Sequence, residues 1–435
     1  MSDGVMNGGE DRLRAQYDAY PYPARDPADE ARRLVTGSPG RRDEMAHWLF
    51  AGRLPAGGPA TGDPGGDPGG DPGRPLRILV AGGGTGDGLV MMAQQLADAG
   101  IAAAIDHVDL SRAARAIAEA RIAARGLTGV TFHTGSLFDL DTLAPGPFDY
   151  IDCCGVLHHL DSPEAGLAAL VARLAPGGGL GLMVYGRYGR SGVYELQAAL
   201  ATLTGGESDP GAKVATARRV LDLLPETNRF RRNPHLGDHQ RSDAGLYDLL
   251  LHSRDRAYTV PEVAALLASA DLVPTAFMPP RRYDPDRFLT DPALAARAAD
   301  LPWIERAALA EQLSGAITTH AFYAVRRDEA AGRVADPADR SLVPVLRDLD
   351  PAAVARTVAA GRAVAFALDG VRERLDLPAE AAPILAAIDG ATPLGAMRDR
   401  LARDRPGLSR PSFDRLWPGV FRALNGAGHL HLVAR

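Results

Sequence analysis

From Leu76 onward, short apolar runs alternate with stretches of helical character, and this alternation is the strongest pattern in the chain. Leu76 to Ala81, Ala104 to Leu110, Val130 to Thr134, Phe148 to Cys154 and Leu180 to Tyr185 read as strands. Between them, Leu89 to Ala99, Ser111 to Arg125 and Pro163 to Leu174 read as helices. Strands followed by helices after short turns build a parallel sheet covered on both faces. The predicted fold class is therefore α/β, a Rossmann-like doubly wound sheet of about seven strands. Two further strands are expected at Leu272 to Phe277 and His320 to Val325. A mostly helical insertion of roughly 85 residues, at about 187–270, precedes the first of them, and connections that long are usually functional.

The flanks of this core read differently. Residues 1–54 hold a helical stretch around Asp11 to Tyr17, then Tyr20-Pro21-Tyr22-Pro23, then a helical patch at Glu44 to Phe50. Residues 55–75 repeat Gly-Asp-Pro-Gly, a composition that predicts a flexible linker. The core domain is expected to span 76–330, and a new domain to occupy 340–435. That last part predicts helices at Pro351 to Ala360, Ala379 to Ile388, Pro393 to Ala402 and Ser412 to Asn425. Strands are expected near Ala363 to Leu368 and His429 to Val433, a pattern that suggests a small winged-helix-like domain.

Composition narrows the partners. With 435 residues, two or three domains are expected. The net charge of −6 offers no general attraction to nucleic acid or to anionic lipid. Arginines at 398, 400, 403, 405, 410, 415 and 422 are interleaved with aspartates at 399, 404 and 414, the pattern of a solvated helix face. No nucleic-acid partner is expected, and the C-terminal domain reads as a regulatory, dimerising or substrate-recruiting module, for a second copy or another protein. No run approaches the roughly 20 apolar residues of a membrane span, and no apolar leader opens the chain. The two cysteines, Cys153 and Cys154, are neighbours and form no disulfide framework. The expectation is a cytoplasmic protein, and the bias to arginine and alanine fits a GC-rich bacterial genome.

The chemistry centres on Val80-Ala81-Gly82-Gly83-Gly84-Thr85-Gly86-Asp87-Gly88, a strand that turns through glycines into a helix. A dinucleotide fingerprint needs glycines at i, i+2 and i+5, and neither frame fits: Gly82 and Gly84 are followed by Asp87, Gly84 and Gly86 by Leu89. A P-loop needs Gly-Lys-Ser/Thr, whereas the only lysine, Lys213, follows Ala212. A turn of this kind suits a ligand without phosphates. Asp109, at the tip of the second strand and a little over 20 residues downstream, is placed to bind paired ribose hydroxyls. Its alternative is to cap the following helix.

The stretch from Leu76 to Tyr185 resembles a class I S-adenosylmethionine-dependent methyltransferase domain. The resemblance rests on the glycine loop, Asp109, Phe148-Asp149-Tyr150-Ile151-Asp152, Val156-Leu157-His158-His159-Leu160 and Leu174-Ala175-Pro176-Gly177-Gly178. It extends to bacterial members with an N-terminal Tyr-Pro-Tyr-Pro-like segment. It implies S-adenosylmethionine as cofactor, S-adenosylhomocysteine as product, and cofactor contacts at Ala81, Gly82, Gly83, Gly84, Thr85, Gly86, Asp87, Asp109, Leu110, Ser136, Leu137, Cys154 and Gly155. Two positions depart from the family. Val80 stands where an acid usually lies near the methionine amino group, and Ser136 where an acid often reads the adenine amino group. Asp87 is the candidate to restore the first charge, and the Ser136 hydroxyl the candidate for the second contact.

Ligands of doubly wound sheets bind at the carboxyl edge, which singles out His158, His159 and Tyr185 as candidate catalytic residues. Either histidine would serve equally well under the loop or as a cap. Tyr20 and Tyr22 are expected to line the substrate or to dock the N-terminus. His235, His239 and His252, in the insertion, are expected to face the substrate rather than a metal, because Pro234 and Gly237 break the helix that would align the first two. The expected activity is methyl transfer to a small-molecule acceptor. Its alternatives are a protein or peptide methyltransferase, or a catalytically silent cofactor-binding protein.

Overall fold

The computed structural model describes residues 3–55, 74–405 and 407–434. Nearly all of the expected linker, at 56–73, lies outside them. The chain opens with helix α1 (Asp3–Ala19) and, after a tight turn at Pro27–Ala31, helix α2 (Arg42–Leu49). The sheet strands are β1 (Leu76–Ala81), β2 (Ala103–Asp109), β3 (Val130–Thr134), β4 (Phe148–Cys154), β5 (Leu174–Tyr185), β6 (Leu272–Met278) and β7 (Thr319–Arg326). Helices α3 (Asp87–Asp98) and α4 (Arg112–Ala124) follow β1 and β2. Strand order is β3-β2-β1-β4-β5-β7-β6, and β1 to β5 pair in parallel.

The sequence explains these elements. In β1, Leu76, Ile78, Leu79, Val80 and Ala81 are all buried, an apolar run broken only by Arg77, as in a strand covered on both faces. Ser111 caps α4 by accepting the Ala114 amide, and Thr259 with Glu262 forms a reciprocal cap on the helix Val260–Ala268. β5 begins at Leu174, earlier than its apolar stretch from Leu180 suggests; the pairing of β4 with β5 is irregular between Phe148 and Tyr150. The insertion is helical, with Val193–Thr204, Pro210–Leu223 and a wide π-turn at Tyr247–Leu251 around a core of Val193, Leu200, Leu246 and Leu250.

The chain divides into two compact units. The first comprises residues 1–41, 56–272 and 315–321. The second comprises 42–55, 273–314 and 322–435, so α2 belongs with the C-terminal part. In the second unit Arg347 reaches Asp43 and Glu44 at 3.2 and 2.6 Å, and His47 accepts the Leu432 amide at 3.1 Å. Its apolar core is built on Leu342, Leu394, Met397, Phe413, Trp417 and Leu432. Strands β8 (Val343–Leu346) and β11 (Leu430–Val433) pair antiparallel, as do β9 (Val364–Leu368) and β10 (Val371–Leu375). Strand β10, Val-Arg-Glu-Arg-Leu, lacks apolar character because its inward Glu373 receives Arg281 and Arg287 at 2.9 and 2.8 Å. No helix among the described residues is long and apolar enough to cross a membrane.

Candidate active site

Strand order reverses direction beside β1: the chain runs outward through β2 and β3, then returns to place β4 on the other flank. Such a switch point leaves a crevice at the carboxyl ends of the strands. A cavity of about 710 Å³ lies there, lined by the glycine loop, the ends of β2 and β4, the N-terminal segment and the insertion. The loop folds tightly against its neighbours because it is built mostly of glycines. Gly82 adopts φ +68°, and a Cβ there would come within 2.3 Å of Val156 Cγ2. Gly84, at φ +53°, brings its α-carbon under the Tyr22 carbonyl, 2.8 Å from where a Cβ would stand.

Asp109 closes the tip of β2. Its carboxylate accepts the Gly84 amide at 2.7 Å and the Ser111 amide at 2.8 Å, so it braces the loop while facing the cavity. Ser111, not Asp109, caps α4. Burial outweighs those two amides and pushes the Asp109 carboxyl up to about 6. Farther along, the Ser136 hydroxyl donates to Glu10 of α1 at 2.6 Å, and Glu10 and Asp139 both line the cavity. The carboxylate expected at Ser136 is thus met by acids from α1 and from three residues downstream.

Asp87 has a different role from the one its position suggests. Burial alone would raise it, but Arg25, at 2.6 and 2.8 Å, and Arg121, at 2.8 Å, hold its carboxyl below the ordinary range. Its charge is already balanced. Glu30 in turn receives Arg121 at 2.6 Å and Arg125 at 2.5 Å, which ties the N-terminal segment to α4. A second carboxylate, Asp152, lies near the end of β4 beside Val80 in the strand register. It is buried, lines the cavity, and burial pushes it up to about 7.

At the other end of the cavity the insertion meets β5. Tyr185 donates to Asp248 at 2.8 Å, and Tyr17 donates to the other oxygen of the same carboxylate at 3.2 Å. The Arg190 guanidinium lies 3.7 Å over the Tyr185 ring and pairs with buried Asp255 at 2.9 Å. His159 directs Nδ1 at the Arg254 carbonyl, 2.9 Å away, so Nδ1 carries the proton and Nε2 keeps its lone pair. His252 accepts the Arg254 amide at Nδ1, at 3.0 Å, which leaves its Nε2–H to donate to Tyr17 at 3.1 Å. His159, Asp248 and His252 are close enough to hold a cation. His252, Tyr17, Asp248 and Tyr185 form one hydrogen-bonded chain, and His159 stacks beside it on His252.

The structure sorts the expected residues. Gly82, Gly83, Gly84, Asp87, Asp109, Leu110, Ser136, Leu137, Cys154, Gly155, His159, Tyr185, Tyr22 and His235 line the cavity. Ala81, Thr85 and Gly86 do not: Thr85 is fully buried with its hydroxyl on the Pro23 carbonyl at 2.7 Å. His158 is fully buried against the Tyr185 ring, 3.9 Å away, and supports that ring from outside the cavity. Tyr20 stacks on Tyr247 at 5.2 Å and docks the N-terminus. His239 packs on Phe230 at 4.9 Å beside a separate, smaller cavity, and His252 stands behind His159, stacked at 3.8 Å. Sequence reading gave no site role to Tyr17, Asp152 or Arg190, and placed Asp248 only among the insertion carboxylates of a polar, substrate-facing cap. A second acid in the short strand β4, three residues after Asp149, was the available signal for Asp152; the others are joined only by tertiary folding.

Comparison with known proteins agrees with this geometry. A family model described as a methyltransferase domain matches residues 79–180. An uncharacterized protein of Synechococcus sp. is 33% identical over 334 residues, covering 74% of this chain and 72% of the relative. The solved structure of PKMT2 from Rickettsia typhi superposes with a TM-score of 0.60 at 15% identity, over 83% of this chain and 72% of that one. The same protein in complex with AdoHcy superposes at 0.59, with 14% identity, over 82% of this chain and 71% of that one. With a seven-stranded switch-point sheet, a glycine-rich turn after its first strand and an acid at the tip of its second strand, the chain belongs to the class I S-adenosylmethionine-dependent methyltransferases.

Proposed function

We propose that this enzyme methylates a small-molecule hydroxyl, phenol or amine held in the cavity between the glycine loop and the insertion. The observation that supports this reading is the wall of that cavity. Tyr17 and Tyr22 from the N-terminal segment, and Arg190, Asp248 and Arg254 from the insertion, line the same space as the glycine cradle. Its 710 Å³ lies within the range of pockets that surround small ligands, about 300–1,000 Å³.

The cofactor brings a sulfonium-activated methyl group. The glycine loop gives it close backbone approach, and Asp109 is the acceptor for its ribose hydroxyls. His159 is the proton acceptor for the nucleophile: the Arg254 carbonyl fixes the ring through Nδ1, so Nε2 is the basic atom of the neutral ring. Tyr185, held by its hydrogen bond to Asp248, walls the acceptor space beside His159, and the Arg190 guanidinium lies over its ring. The aromatic and insertion walls exclude water while the nucleophile is aligned with the cationic sulfonium.

The test is transfer from methyl-tritiated S-adenosylmethionine into an extract of the native host, separated afterwards into protein and low-molecular-mass pools. Label in the low-molecular-mass pool is expected. Label confined to the protein pool would overturn the small-molecule reading.

A further inference from the structure

Class I members usually place an acid at the end of the first strand for the methionyl ammonium, and here that position is Val80, fully apolar and 1% exposed. An ammonium left in a buried site without a counter-charge is strongly disfavoured. Beyond the cofactor's own carboxylate, a protein carboxylate placed near that end would stabilise the ammonium. Asp87 is unavailable, since Arg25 and Arg121 already hold it. Asp109 and Glu10 lie toward the ribose and Ser136 ends.

Asp152 remains. It stands opposite Val80 in the ladder between β1 and β4, and paired residues on parallel strands project to the same face about 4.8 Å apart. Its oxygens lie beside the backbone of Gly88 in the first turn of α3, 3.4 Å from a Cβ placed there, and of Gly40, 3.3 Å from one. The side-chain groups that face it are the Tyr150 hydroxyl at 3.1 Å and the Cys154 thiol at 3.6 Å, both from β4 and both uncharged. No cation pairs with it among the described residues. A buried carboxylate aimed into a ligand cavity without a cation is a site awaiting one.

We infer that Asp152 receives the ammonium of the methionyl end of the cofactor, taking from β4 the role that β1 has lost. This rests on the cofactor assignment, and the experiment separates the two. Titration calorimetry compares wild type and Asp152→Asn with S-adenosylhomocysteine and with 5′-methylthioadenosine, which keeps the adenine, ribose and thioether but lacks the amino-acid end. The variant is expected to weaken S-adenosylhomocysteine on the order of 10- to 100-fold, the size of a lost charge-assisted hydrogen bond. Binding of 5′-methylthioadenosine should change by less than about twofold. Equal loss of both ligands, or no loss of either, would overturn the role. Wild type that binds neither ligand would overturn the cofactor reading as well.

A measurement on wild type alone covers a variant that fails to fold. Between about pH 5.5 and 7.5, the preference for S-adenosylhomocysteine over 5′-methylthioadenosine should rise as the Asp152 carboxyl ionises. Asp109 also titrates there but faces the part common to both ligands, so it cancels in the ratio. Cys154, raised by burial, does not ionise in this window. A flat ratio would overturn the inference.

Discussion

Strand β1 is flanked by two strands that each carry a buried carboxylate to the cavity, Asp109 on β2 and Asp152 on β4. Both are raised in the fold, so each favours the folded state below the unfolded carboxyl range and loses that contribution as pH rises through about 6 and about 7. The difference in melting temperature between Asp152→Asn and wild type should therefore move in the variant's favour by a few degrees from about pH 5.5 to about pH 8 in differential scanning calorimetry of ligand-free protein, because the buried histidines shift both proteins alike. Asp109→Ala should weaken S-adenosylhomocysteine on the order of 10- to 100-fold by calorimetry, because the change removes a charged acceptor and unbraces the Gly84 amide. His159→Asn should slow methyl transfer by roughly 100-fold or more while leaving S-adenosylhomocysteine affinity within about twofold, read by single-turnover kinetics and calorimetry. At this scale Asp109 and the glycines were legible from spacing, since a short loop and one strand place them. The choice between His158 and His159 was not, because adjacent residues differ only in which way the turn at Leu157–His159 points them.

Among the elements, the segment from Tyr17 to Glu30 does the most to shape the site. It carries Tyr17 and Tyr22 to the cavity, sets the Tyr22 carbonyl against Gly84, and is held by Glu30 on Arg121 and Arg125. The side chains of Glu30 and Arg121 are 3% and 1% exposed, so removing one partner strands a buried charge. Arg121→Met should lower stability by about 3–5 kcal/mol and make the first 41 residues the earliest site of proteolysis, followed by mass spectrometry of a limited digest. The Tyr-Pro-Tyr-Pro pattern marked this segment in the sequence. Its anchoring did not show, because Glu30 and Arg121 are 91 residues apart and carry no local periodic signal.

In the whole molecule, the second unit is discontinuous. Helix α2 contributes Asp43, Glu44 and His47, which find Arg347, Leu432 and Asn425 only after the rest of the chain is in place. Burial pushes His47 down to about 3, so it is held neutral inside the second unit. Removing residues 341–435 should leave these polar groups uncovered, giving a chain that is retained in the insoluble fraction on expression, checked by fractionation and gel filtration. The alternation of apolar runs and helices, the glycine turn and the acid after β2 were determined by the sequence itself, because each depends on neighbours a few residues away and on the period of one element. Which acid faces the missing charge at Val80, which histidine keeps a free lone pair, and which phenols share Asp248 were decided only by tertiary structure. Those choices depend on burial and on hydrogen bonds between segments dozens to hundreds of residues apart, which no local pattern encodes.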